Sequence, residues 1–141
     1  MTETPSLTDV LVRSIPDAII VADREGRIVL WNGGAERIFG YAEDDALNQS
    51  LDLIIPERLR QRHWDGYNRV MGGAPSKYGE GDMLAVPAVR ADGSTISIEF
   101  TVAIVEKDGE RLIGAVIRDV TERWQREREL RKQLAEAGQP Q

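Results

Sequence analysis

The residues with the most chemical potential sit in one stretch, Arg60-Gln61-Arg62-His63-Trp64-Asp65-Gly66-Tyr67. His63 is the only histidine in the 141-residue chain, and imidazole is the side chain that titrates and ligates metals near neutral pH. Elsewhere the candidates thin out. The chain has no cysteine, which excludes disulfides, thiolate metal sites and cysteine nucleophiles together. No Gly-x-Ser-x-Gly elbow is present. Among 13 glycines, Gly72-Gly73 and Gly79-x-Gly81 lack both the Lys-Ser/Thr continuation and the Gly-x-Gly-x-x-Gly spacing of phosphate-binding loops. The carboxylate pair Asp44-Asp45 falls at an exposed helix end. The chain is therefore expected not to be an enzyme and to hold no metal through a set of its own ligands.

Bulk properties point to an ordinary globular domain. Hydrophobic residues make up 41% of the chain and charged residues 30%, and 141 residues suffice for one domain with short extensions. The formal net charge is −6 with no broad basic tract, which speaks against direct binding to nucleic acid or an anionic membrane. The start MTETPSLTDV lacks a basic segment followed by an apolar run, and no stretch approaches the roughly 18 apolar residues of a membrane span. A cytoplasmic location is the expectation.

The elements that would position these residues are legible from period and turn chemistry. Ser6 to Ile15 reads as a short amphipathic helix, capped by Ser6 or Thr8 and ended by Pro16. Ala18–Ala22 and Arg27–Trp31 form a hairpin around Asp23-Arg24-Glu25-Gly26. Asn32-Gly33-Gly34 is read as a strand break. Short helices then follow over Ala35–Phe39, Ala42–Leu47 and Leu51–Ile55, and a longer one over Glu57–Met71, with Pro56 at its first turn. Ala74–Gly81 reads as a loop and Met83–Arg90 as a strand, at an edge or bulge because of Pro87. The clearest strand puts Ile96, Ile98, Phe100, Val102 and Ile104 on one face and Ser97, Glu99 and Thr101 on the other. Lys107-Asp108-Gly109 turns the chain into Leu112–Arg118. From Val120 a charged helix begins, with Glu122–Arg126 and Glu127–Arg131 placing acid four residues before base.

In order and spacing this arrangement resembles the PAS family of sensory domains. The pieces that carry the resemblance are Leu30-Trp31-Asn32, Ile38-Phe39-Gly40-Tyr41, the Arg90–Gly93 turn and the closing Arg118-Asp119-Val120-Thr121-Glu122-Arg123. It implies an α+β fold: a five-stranded antiparallel sheet with short helices on one face and a flanking helix at each end. On this basis residues 1–15 are a flanking helix, 16–119 the sensory domain, 120–137 an output and dimerisation helix and 138–141 a frayed tail. The resemblance also implies a pocket between sheet and helices. Trp64, Tyr67, Met71, Leu84, Val86, Ile98, Phe100 and Ile117 are expected to line it, with Ile28, Leu30 and Val70 nearby and Tyr78 at its polar edge. The alternative is a packed core, which residues of this kind must largely supply in a domain of this size. Asp119 and Thr121 match the family's junction between last strand and output helix. Either side chain could also simply cap that helix.

For cofactors the resemblance implies three readings. Heme-binding oxygen sensors of the family carry a histidine followed by aspartate and, two residues later, tyrosine. Here Asp65-Gly66-Tyr67 matches, but Trp64 stands at the histidine position and His63 lies one residue, about 100°, back around the helix. The position of a ligand-stabilising arginine falls near Leu84. Heme held by His63 is thus one reading, non-covalent flavin a second, and no cofactor a third. Cysteine-adduct flavin photochemistry is excluded.

Two apolar faces point to a homodimer. Leu7, Val10 and Leu11, with Ile15 at its end, line the first helix, and Val120, Trp124, Leu130 and Leu134 make a sparse stripe on the last. The alternative is that each folds back on its own sheet. The expected activity is a dimeric sensor of a small ligand or partner that reports through its terminal helices, to a downstream signalling protein where there is one. A ligand-free dimerisation scaffold is the rival. The MTET start and GQPQ tail suggest a complete short protein.

Overall fold

Two of the sheet's three hairpin reversals carry clear turn chemistry. At the first, the Asp23 carboxylate accepts the backbone N–H groups of Glu25 and Arg27 (3.0 and 2.9 Å), and Gly26 takes φ 80°, where a side chain would be strained. The second passes through Asp108 and Gly109, at φ 51° and 79°. A computed structural model describes residues 4–73 and 84–138. Its strands are β1 (Ala18–Ala22), β2 (Ile28–Trp31), β3 (Leu84–Val89), β4 (Thr95–Lys107) and β5 (Glu110–Asp119). They form one sheet in the order β2-β1-β5-β4-β3, with every neighbouring pair antiparallel. This is the α+β, five-stranded architecture expected, and Pro87 lies in an edge strand, where its missing N–H is tolerated.

Helices α1 (Leu7–Ser14), α2 (Gly33–Phe39), α3 (Glu43–Ala46), α4 (Arg60–Met71) and α5 (Thr121–Ala137) complete the fold, with two 3₁₀ turns at Leu51–Ile54 and Glu57–Leu59. The long helix expected over Glu57–Met71 is therefore split, its first turn being the tighter kind. Ser6 caps α1, its Oγ accepting the Asp9 N–H at 3.1 Å.

The Asn32-Gly33-Gly34 step is not a simple break, as the sequence suggested. Asn32 is the α2 N-cap and one of the most connected side chains of the molecule. Its Oδ1 accepts the N–H groups of Ile19 (2.8 Å) and Ala35 (2.9 Å), and its Nδ2 donates to the carbonyls of Val12 (2.7 Å) and Asp17 (3.0 Å). Both glycines lie inside the helix because the chain before β1 passes so close. A Cβ on Gly34 would overlap the Asp17 and Pro16 carbonyls, and one on Gly33 would lie 2.6 Å from the Arg13 carbonyl.

Alternation sends Ala18, Ile20, Ile28, Ile96, Ile98 and Ile117 to the inner face, where they are buried against Trp31, Ala35, Phe39, Ala46 and Ile54. Trp31 is held by its indole N–H, which donates to the Tyr41 carbonyl at 3.0 Å, and its ring lies 5.7 Å from Phe39. Ala91 N–H donates to the Phe39 carbonyl at 2.8 Å, so the Arg90–Gly93 turn docks on the end of α2. Ile104, expected on the same face, pairs with Ile113 but is 36% exposed, out toward the Asp108–Gly109 turn.

Candidate functional site

Helix α4 presents Trp64, Tyr67 and Met71, spaced three and four residues apart and hence on one stripe. Trp64 donates its indole N–H to Asp52 Oδ1 at 2.8 Å. Its ring covers Gly26 so closely that a Cβ there would overlap the indole. Tyr67 donates its hydroxyl to the Asp23 carbonyl, and Arg24 donates a guanidinium N–H to the Met71 carbonyl at 3.2 Å. Tyr67 and Met71 are buried with Ala22, and Leu51, Trp64 and Ile113 close the cluster. The β1–β2 turn is thus gripped along the length of α4. Burial, with the charges of Asp23 and Glu25, pushes the Tyr67 hydroxyl far above its ordinary range, so it stays a neutral donor.

His63 is not on that stripe. Its ring stands edge-on to Trp64 at 4.7 Å and tilted against Tyr67 at 5.7 Å, and its buried Nδ1 has no hydrogen-bond partner. Burial lowers its pKa, with the Asp52 carboxylate opposing, which favours the neutral ring. The inward position next to Asp65 holds an indole already committed to Asp52 and Gly26. The residues present do not fit a heme held by His63.

The remaining expected lining residues fall in a different group. Ile98 and Ile117 are buried in the main core, with Val86 and Phe100 half-buried against it. Among the described residues only Leu51 packs against both groups. Leu84 opens β3 opposite Phe100, but its side chain lies outside the described residues, as does Tyr78. The seven expected positions whose side chains are described therefore fall in two clusters rather than one.

A cleft of about 570 Å³ opens beside the α4 stripe instead. It is bounded by Asp23-Arg24-Glu25, Met71-Gly72-Gly73, Glu106 and Gly109-Glu110-Arg111. Its walls are charged, with Arg111 3.7 Å from Glu106. Sequence reasoning missed it because its walls are turns and the ends of α4, β4 and β5, which meet only in the folded chain.

At the other end of the sheet, Asp119 and Thr121 form the junction with α5. Asp119 Oδ1 accepts the Thr121 N–H (2.9 Å) and hydroxyl (2.6 Å). Thr121 Oγ1 in turn accepts the Ser97 N–H at 2.9 Å, and Val120 N–H donates to the Ser97 carbonyl at 2.9 Å. Capping and attachment are therefore one arrangement: the first turn of α5 is bolted to β4. The proposed dimer residues lie outward. Leu7, Leu11, Leu130 and Leu134 are exposed by more than half, and Val10 and Trp124 by 46% and 42%. Val120 instead is buried, at 5%.

Sheet order, helix placement and the attachment of α5 to β4 define the fold, and comparison with known proteins agrees. The family model for the PAS fold matches residues 6–120. The chain is 32% identical over 126 residues to the sensor protein FixL of Bradyrhizobium diazoefficiens, covering 89% of this chain and 25% of that one. It is 23% identical over 111 residues to the oxygen sensor protein DosP of Escherichia coli, covering 79% of this chain and 14% of that one. A PAS-domain crystal structure from Colwellia psychrerythraea superposes with a TM-score of 0.65 at 21% identity, covering 80% of this chain and 93% of that one. The chain belongs to the PAS family. It spans about a quarter of FixL and a smaller share of DosP.

Proposed function

We propose that this PAS domain senses a small polar ligand beside α4 and reports it through its terminal helices as a homodimer. The observation that carries the reading is the charged cleft of about 570 Å³ that shares Asp23, Arg24 and Met71 with the α4 grip, a volume in the range of ligand sites. A ligand there would compete for the groups that fasten α4 to the β1–β2 turn. Its charged lining favours a polar ligand over the apolar or aromatic one suggested by the sequence. The domain itself is read as non-catalytic, and α5 as the element that engages a downstream signalling partner.

Dimerisation is supported by the outward apolar residues of both terminal helices, which find no cover in a single copy. Thermal shift against a library of small polar metabolites is the direct test, since a ligand selective for the folded state must raise Tm. Native mass spectrometry of the purified protein identifies whatever is retained. A raised Tm that disappears in Arg24→Gln supports the cleft. A library without effect and a protein that carries no small molecule would leave the rival reading, a ligand-free dimerisation scaffold. Heme uptake lost in His63→Ala would replace the cleft reading with the cofactor one.

A further inference from the structure

The outer face of the sheet carries charges that alternate in sign from one terminal helix to the other. Asp17 stands just before β1, and its carboxylate accepts two guanidinium N–H groups of Arg118, at 3.2 and 3.4 Å. Arg118 lies directly opposite Glu99 in the β5–β4 pairing. Glu99 accepts Nη2 of Arg123 in the first turn of α5, and Arg123 Nε is 3.9 Å from Glu127 one turn on. All three sheet-side charges project outward, because Ala18, Ile98 and Ile117 beside them are buried on the inner face.

The ends of this line coincide with the roots of the two helices. The Asp17 carbonyl shares Asn32 Nδ2 with the carbonyl of Val12 in α1, and the Arg37 guanidinium donates to the Ile15 carbonyl just beyond it. A displacement of α1 therefore moves Asp17. At the other end Glu99 is the most enclosed charge of the line, with its side chain 16% exposed, bonded to Arg123 and across the strands from Arg118, whose charge it influences without a direct ion pair. Isolated exposed ion pairs contribute little, but a charge flanked on both sides is positioned by both neighbours.

We propose that the Asp17–Arg118–Glu99–Arg123–Glu127 line couples the root of α1 to the first turns of α5, so that releasing its Asp17 end loosens α5. This deepens the proposed reporting through terminal helices, yet the coupling needs neither ligand nor dimer to be measured.

The test is hydrogen–deuterium exchange on the full chain, reading the amides of residues 122–127. In Asp17→Asn, exchange there is expected to rise about twofold to fivefold, the effect of losing one exposed ion pair, although Asp17 makes no bond to α5. Glu99→Gln should do at least as much, and the double variant less than the sum of the two. Arg118→Lys, which keeps the charge, should retain most of the protection. Salt at about 1 M, where charges are screened beyond roughly 3 Å, should remove the difference between wild type and Asp17→Asn. Faster exchange confined to α1 and β1, or Asp17 and Glu99 effects that simply add, would overturn the coupling. Light scattering on the same samples keeps the readings apart. A monomeric wild type removes the dimer from the proposed function and leaves the exchange result to decide the coupling alone.

Discussion

Gly26 and Trp64 show how one residue can depend on another far along the chain. The indole lies where any side chain at position 26 would go, and φ there is 80°. Gly26→Ala is expected to cost about 1–3 kcal/mol through strain and overpacking. In a Trp64→Ala background part of that cost should vanish, and a double-mutant cycle by urea unfolding measures the difference. Trp64→Ala alone should cost about half the ~3–5 kcal/mol of a fully buried tryptophan, because its ring is half-buried. His63 carries a pH dependence with a definite sign. Burial lowers its folded pKa below the ordinary 6.5, so on acidification the unfolded chain takes up the proton first. Its contribution is complete above about pH 6.5 and is lost as pH falls toward the folded value. Comparing Tm at pH 5.5 and 7.5 checks this: the fall should be smaller in His63→Phe, and equal falls would show that other groups cause it.

At the scale of elements, α1 is attached by backbone rather than by its side chains: none of its residues is buried, yet Asn32 and Arg37 hold its C-terminal end. Asn32→Ala removes an N-cap and leaves buried carbonyl and N–H groups unpaired, a loss of about 3 kcal/mol. Thermal unfolding should show it, and faster amide exchange should appear at Ile19 and Ala35, whose N–H groups lose their acceptor. Helix α5 has the opposite design. Its first turn is bolted to Ser97, while the remainder is exposed and supported by pairs such as Glu122–Arg126 at 2.8 Å and by Arg128 stacked 5.4 Å over Trp124. Seventeen residues of such a helix are marginal without a partner. Removing residues from Trp124 onward should therefore weaken self-association and leave the sheet folded, checked by light scattering and circular dichroism.

At the scale of the whole molecule, self-association by the terminal helices predicts a Tm that rises with protein concentration. Leu11→Glu, at a position 60% exposed in the single copy, should abolish that rise with little change in the Tm of the dilute protein. Among the described residues no helix is long and apolar enough to cross a membrane. The sheet was legible because its signals are local. Ile96, Ile98 and Phe100 alternate, Asp23–Gly26 and Lys107–Gly109 are turn chemistry, and each reads within a few residues. The α4 stripe was half-legible. Trp64, Tyr67 and Met71 stood out as a group, but only the folded chain brings Gly26, Asp23 and Asp52 against them. Periodicity and turn chemistry by themselves determined the hairpins and the inward face of Ile96 and Ile98, while the resemblance carried by the sequence motifs supplied the family and singled out Asp119 and Thr121. Tertiary structure alone decided that the described lining residues fall in two clusters, that a charged cleft opens between turns and element ends, and that Asn32 is a four-way bolt. Secondary structure follows from neighbours a few residues apart, whereas a cleft or a bolt is set by where distant backbone segments cross.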